Sequence, residues 1–350
     1  MTPVYFFSFT LAFVSSFVGT FLVSRFAVKR KILDWPDQER RFHPQPMPTL
    51  GGLAIFASFF LVTFAVGVLS GYLLGGNIPL RILVAIWSGG AVLMIGGYLD
   101  DKYHLPPKLS IVFPIIAALI MVTSGMSAVS IHNPLMGGVI ILPSLWSAVI
   151  VFIWILTMTY TTKLLDGMDG LVTGISAIAA LVLFGLSLTE QVQQPQTALL
   201  AVTLTGSLLG FLILNFYPAK IFLGEGGSTF AGFMLAILAI VSGGKIATAI
   251  AVLGIPVLDA VWVVLQRLFA HKSPFLGDRK HLHFRLLDIG FSVPQAVLFL
   301  YALSGIFGVS ALFLQSMGKL VLLGIMVLVM IVLVCTVFVF YKVKQSVNGK

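Results

Sequence analysis

Lys163-Leu164-Leu165-Asp166-Gly167-Met168-Asp169-Gly170-Leu171 sets a lysine and two carboxylates between two long apolar runs. If the second run begins as a helix at this point, Asp166 and Asp169 share a face by their i,i+3 spacing. Two like charges held that close require a cation, a metal-bound phosphate or a raised pKa. A hydrated turn between two helices accounts for paired acids equally well, so this stretch needs support from elsewhere in the chain.

That support comes from four other polar segments. Asp100-Asp101 close an apolar run, and adjacent carboxylates at a helix C-terminus oppose both each other and the helix dipole. A cation-binding or proton-accepting site would call for such an arrangement, and Lys108 follows within reach as either a surface lysine or a phosphate contact. Asn215 opens a segment ending Gly224-Glu225-Gly226-Gly227-Ser228, where glycines before a helix let backbone N–H groups approach a phosphate. It lacks the Gly-Lys-Ser/Thr ending of a P-loop, and a plain turn explains its glycines but not Glu225. His281, His283 and Arg285 alternate, so an extended strand would aim all three one way. Two histidines without cysteine or glutamate at ligand spacing make a poor zinc site, and a donor-rich basic segment suits a diphosphate better. The fourth segment, Asp34 to Gly52, alternates prolines around His43 and reads as a stiff, extended linker with Trp35 as an interfacial anchor.

The elements that must position these residues are membrane helices. The chain is 59% hydrophobic and 9% charged, against roughly 25% charged in soluble domains. Apolar runs at about 4–24, 51–75, 80–99, 109–130, 141–162, 171–189, 196–214, 227–243, 246–267, 294–315 and 319–341 predict an all-α polytopic protein of about eleven transmembrane helices. They occupy nearly the whole chain, so residues 1–350 are expected to form a single integral membrane domain. No basic segment precedes the first run, which makes it a span rather than a cleaved signal. The lone Cys335 supports neither a disulfide framework nor a thiolate metal site.

Placing the first connection in the cytoplasm puts all lysines and arginines on that side except Arg81, Lys245 and Lys319. The N-terminus is then outside and the C-terminus cytoplasmic. The net charge of +9 borders the membrane and gives no reason to expect nucleic acid as a partner. Glu190 is the one acid in an external loop and Asp259 lies within the ninth run; every other acid falls in a cytoplasmic connection. A site facing the cytoplasm follows, built from the loops at about 25–50, 100–108, 163–170, 215–228 and 268–293. A secondary transporter would instead place polar groups near mid-membrane.

Taken together and in order, these motifs resemble the polyprenyl-phosphate N-acetylhexosamine-1-phosphate transferases, relatives of the phospho-MurNAc-pentapeptide translocase. The resemblance runs from Asp34 to Arg285 through Gly51-Gly52, Asp100-Asp101, Asp166 to Leu171, Asn215 to Ser228 and His281-Leu282-His283. It implies transfer of a hexosamine-1-phosphate from a UDP-sugar to undecaprenyl or another polyprenyl phosphate at the cytoplasmic face of the plasma membrane. The products are UMP and the lipid-linked pyrophosphoryl sugar that initiates a cell-envelope polysaccharide. It further implies magnesium, with manganese as the alternative ion, and homodimerisation as in some relatives. Asp100, Asp101 and Asp169 are the expected catalytic residues and Glu225 the metal ligand. Lys108, Lys163, Asp166, Asn215, His281, His283 and Arg285 are expected to bind substrate. The final basic segment looks most like the N-acetylglucosamine branch, which makes UDP-N-acetylglucosamine the expected donor.

Three departures stand out. Lys163 occupies a place where many members have an asparagine, Glu225 replaces an aspartate, and Phe284 replaces the second histidine of a pair. The first two fall on the expected metal-diphosphate site and are expected to be coupled. A different hexosamine donor, an inactive relative and a transporter are the alternatives. A glycosidase with paired carboxylates leaves the basic loops unexplained.

Overall fold

A computed structural model describes residues 2–36, 45–74, 76, 78–126, 130–132, 139–242, 246–269, 271 and 281–348. Arg40, Arg41, His43, Lys245, Arg279 and Lys280 lie outside the described residues. All eleven apolar runs contain helix: α1 (Thr2–Arg30), α2 (Gly51–Val62), α3 (Leu80–Tyr103), α4 (Pro107–Ser110) with α5 (Val112–Thr123), α6 (Ser144–Leu165), α7 (Leu171–Ser187), α8 (Pro195–Asn215), α9 (Gly224–Val241), α10 (Ile246–Phe269), α12 (Val293–Phe313) and α13 (Ser316–Asn348). The short α11 (Leu282–Asp288) precedes α12, and α2 continues as a π-helix over Thr63–Leu69. Among the described residues nine helices are long and apolar enough to cross a membrane, and Pro107–Thr123 and Leu171–Ser187 are shorter apolar helices. The protein is therefore an all-α polytopic membrane protein.

Two small antiparallel ribbons complete the fold. β1 (Leu33–Asp34) pairs with β2 (Met47–Pro48), and β3 (Ser130–His132) with β4 (Val139–Ile141).

Burial is graded from the middle outward. α8 and α9 are 83% buried over their most apolar windows, against 22% for α1 and α13. The outer helices turn Phe6, Phe7, Leu22, Ile325 and Leu328 outward, as expected where the solvent is lipid. Central α9 packs against α2, α3, α6 and α7. Close approach there depends on the absence of side chains. A Cβ on Gly52 would lie 2.2 Å from the Gly227 nitrogen, and one on Gly97 would lie 2.2 Å from the Gly226 nitrogen. These small-residue contacts let three helices meet almost backbone to backbone, the usual device where apolar surface alone cannot drive association. The glycines after Glu225, read from sequence as a phosphate cradle or a turn, are thus engaged in helix packing.

The proline-rich segment completes this end. Gly51 N–H and Gly52 N–H donate to the carbonyls of Phe222 and Leu223 at 3.1 and 2.8 Å, and Phe222 N–H donates to the Pro48 carbonyl at 2.9 Å. The start of α2, the start of α9 and the end of α3 are locked in one place.

Candidate active site

Lys163 lies in the last turn of α6, Asp100 and Asp101 in the last turn of α3, and Glu225 in the first turn of α9. The helix dipoles favour Lys163 and Glu225 in those positions and oppose Asp100 and Asp101. The aspartates' position is therefore set by something other than helix stability.

Contacts between these ends define the site. The Lys163 Nζ lies 2.5 Å from Glu225 Oε1. Ser110 Oγ accepts from Lys163 at 3.1 Å and donates to the same Glu225 oxygen at 3.3 Å, closing a triangle between α4, α6 and α9. Asp100 feels the charge of Lys163 and is hydrogen-bonded to Ser110. Glu225 N–H donates to Asp101 Oδ1 at 3.2 Å, whereas Asp101 Oδ2 is shielded from solvent and has no hydrogen-bond partner among the described residues. Gly224 has a φ of +75°, and a Cβ there would lie 2.5 Å from Asp101 Oδ2, so glycine meets both the conformational and the spatial demand.

Asp166 and Asp169 join the cluster by a route that differs from the helical expectation. Asp166 caps the end of α6, a turn follows, and α7 begins only at Leu171, after Gly170 in the left-handed region at φ 75°. The i,i+3 pair is therefore presented by a loop, because the glycines favour a turn and the helix starts after the second acid. Asp166 is exposed on the turn and lies near Glu225, Asp169 and Ser228. Desolvation by the surrounding protein first, then the charges of Glu225 and Asp169, hold its carboxyl up at about 7, while the Ser228 hydrogen bond pulls the other way. Asp169 Oδ2 accepts the Ala219 N–H at 3.0 Å. Tyr301 OH donates to the Gly170 carbonyl, fixing the start of α7.

Asn215 has work inside the fold. Its Oδ1 accepts from Thr173 Oγ1 at 2.8 Å and its Nδ2 donates to the Ile221 carbonyl at 3.0 Å, which holds the 216–221 loop that carries Ala219 to Asp169. Lys108 is exposed on α4, two residues before Ser110.

The histidine segment departs from its expected extended form. Asp259, in the interior of α10, accepts the Leu282 N–H on Oδ1 at 2.8 Å and pairs with His281 Nδ1 through Oδ2 at 2.8 Å. This carboxylate caps α11, so the residues from Leu282 onward are helical and His281, His283 and Arg285 do not share one strand face. His281 and His283 nevertheless meet, their rings stacked 5.6 Å apart at 8°. His283 is fully buried against Gly167, with neither ring nitrogen hydrogen-bonded among the described residues. Burial drives its imidazole down to about 4, with Asp259 opposing and His281 adding to the fall, so it is neutral near pH 7. Arg285 is half-buried on α11.

Ser110, Asp259 and Tyr301 are site residues that motif reasoning passed over. Asp259 had a signal, since an acid alone in an apolar span must find a partner. Ser110 and Tyr301 had none.

The cluster suits a hard divalent cation. Its donors are all carboxylate oxygens, Asp101 Oδ2 is an orphaned acceptor, and the Asp101 carboxylate feels the negative charges of Glu225, Asp100 and Asp166. Among the described residues no group of three acids, histidines or cysteines is arranged to hold an ion by itself. Magnesium does not require one, because it is held by one or two carboxylates with water and substrate phosphates completing its shell.

Comparison with known proteins points to one family. The pattern of glycosyl transferase family 4 matches residues 83–243, which include most of α3, Asp100, Asp101, the Asp166–Asp169 turn and Glu225. The chain is 31% identical to the probable undecaprenyl-phosphate N-acetylglucosaminyl 1-phosphate transferase of Bacillus subtilis (strain 168), over 88% of this chain and 84% of that protein. It is 32% identical to the decaprenyl-phosphate N-acetylglucosaminephosphotransferase of Mycobacterium leprae (strain TN), over 84% and 80%. Against the undecaprenyl-phosphate alpha-N-acetylglucosaminyl 1-phosphate transferase of Escherichia coli (strain K12) it is 26% identical over 79% and 74%. With five carboxylates and a lysine gathered where helix ends meet, and these relatives aligned along most of its length, the chain belongs to the polyprenyl-phosphate N-acetylhexosamine-1-phosphate transferases of glycosyl transferase family 4.

Proposed function

We propose that the protein transfers N-acetylglucosamine-1-phosphate from UDP-N-acetylglucosamine to a polyprenyl phosphate, releasing UMP, at the cytoplasmic face of the membrane. The observation that carries this reading is the convergence of Asp100, Asp101, Asp166, Asp169, Glu225 and Lys163 at one end of the bundle. Orientation rests on the lysines and arginines that border this same end, Lys29, Arg30 and Lys102 among them.

In the reaction, an oxygen of the lipid phosphate attacks the β-phosphorus of the UDP-sugar. A new P–O bond forms, the bond between the β-phosphorus and the bridging oxygen breaks, and UMP leaves with that oxygen on its α-phosphorus. Little covalent work falls to the protein, so catalysis is positioning and charge neutralisation. Magnesium, when bound, supplies charge neutralisation at the diphosphate oxygens, and Asp101, Asp166 and Glu225 are the residues that would hold it. Asp100 and Asp101 orient the lipid phosphate, with Asp101 the group best placed to accept a proton, and Asp169 secures the 216–221 loop through Ala219. Lys163, with its compact ammonium, meets phosphate charge, Lys108 and Arg285 extend the donor surface, and the buried His281 and His283 back the Asp166–Asp169 turn at Gly167. Direct in-line attack requires no covalent enzyme intermediate.

Purified protein in detergent, given magnesium, a polyprenyl phosphate and a panel of UDP-sugars, tests this. UMP should appear with UDP-N-acetylglucosamine and with one or two donors at most. Absence of UMP with every donor, while the donors still bind, would overturn the reading in favour of an inactive relative.

A further inference from the structure

Lys163 answers Glu225 too completely for a residue that only waits for substrate. Its ammonium is 2.5 Å from Oε1, the same oxygen receives Ser110, and the same ammonium acts on Asp100 of α3. One positive charge thus serves acids on two helices, while Asp101 Oδ2 stays shielded and without a partner among the described residues. A divalent cation would bring twice the charge to these oxygens. It and the ammonium repel each other, so Glu225 has two mutually exclusive partners.

The lysine also has somewhere else to go. Its four-carbon stem is flexible, and the ring of Tyr160, one turn earlier on α6, lies 5.5 Å from the ammonium. We infer that Lys163 is a tethered counter-ion which a divalent cation displaces from Glu225, the freed ammonium then turning to the diphosphate of the donor. The last step rests on the transferase reading; the displacement does not. Cation and diphosphate binding are then positively coupled through one side chain, and the coupling is reciprocal.

Mn2+ binding measured by electron paramagnetic resonance, on the full chain in detergent with and without UDP, tests the inference. K163M should bind Mn2+ about tenfold more tightly than the wild type and lose most of the gain in UDP affinity that Mn2+ confers. K163R, which keeps the charge, should resemble the wild type in Mn2+ affinity and thereby shows that the methionine result is a charge effect. In an E225Q background K163M should no longer tighten Mn2+. Mn2+ affinity equal or weaker in K163M, with UMP still released by the wild type, overturns the inference and leaves the transferase reading standing. Tighter Mn2+ binding in K163M, with no UMP released by the wild type from any donor, supports cation displacement and overturns the transferase reading instead.

Discussion

Glu225 and Asp259 are both carboxylates set into apolar helices, yet their surroundings differ in kind. Asp259 sits in the interior of α10 with one oxygen on His281 and the other on the Leu282 N–H, so each of its acceptors is engaged by a group of its own chain. Glu225 shares its surroundings with Asp100, Asp101 and Asp166, one lysine serves it and Asp100, and an oxygen of Asp101 is left over. The first arrangement is complete and holds a histidine segment in place. The second is short of positive charge, and under the proposed function a bound cation and substrate would complete it. Burial alone does not separate a structural acid from a catalytic one; the balance of partners does.

The sharpest way to break this comparison is at Asp101. Asp101→Asn removes a charge whose burial is unfavourable, so thermal unfolding should be unchanged or shifted upward while turnover falls by at least about 100-fold. Parallel loss of melting temperature and activity would place Asp101 with the structural acids. Asp259→Ala should behave in the opposite way. It strands two buried donors, costing about 1–3 kcal/mol of stability in a detergent unfolding assay. Activity should follow chiefly through a raised KM as the histidine segment loosens. A kcat loss without destabilisation would move Asp259 into the catalytic group.

A double-mutant cycle sharpens the unfinished side further. Lys163→Asn and Glu225→Asp, alone and combined, should show a coupling of about 0.5–3 kcal/mol in kcat/KM, since the two side chains touch. Strict additivity would mean that their contact has no catalytic consequence.

The smallest effect concerns pH. The folded chain holds a proton on Asp166 up to about 7, whereas the ordinary value is 3.8. Without a cation the fold therefore loses stability as pH rises from 3.8 through about 7, because over that range the folded state binds more protons than the unfolded one. A divalent cation competes with that proton. Its stabilisation of the protein in a thermal shift assay should thus be larger at pH 8 than at pH 6, by roughly a tenfold difference in apparent affinity. A shift independent of pH would remove Asp166 from the cation site.

Helix content and the ends of most spans could be read from apolar runs, and the acids at the core of the site from their conflict with those runs. What could not be read was anything that depends on who meets whom. The Asp166–Asp169 pair looked helical because the spacing permits it, yet Gly170 at positive φ delays α7 to Leu171, two residues after the second acid. The His281–Arg285 alternation looked like a strand, but Asp259, 22 residues earlier in the chain than His281, captures the Leu282 N–H and turns the segment into a helix. Local pattern carries no information about a cap that arrives from another element. Lys163 and Glu225, 62 residues apart, were expected to be coupled because both fall on the metal-diphosphate site, but their direct contact at 2.5 Å could not be read from the pattern.

The backbone contacts of Gly52 with Gly227 and of Gly97 with Gly226 have a bearing on how the protein meets membranes of different composition. A bilayer thicker or thinner than the bundle is accommodated by tilt and by rearrangement at lipid-facing helices, which here are α1 and α13. The starts of α2 and α9 and the end of α3 have no side chain between them to compress or reorient. Mismatch strain is thereby confined to the perimeter, and the distance between Asp101 and Glu225 stays constant across host lipids.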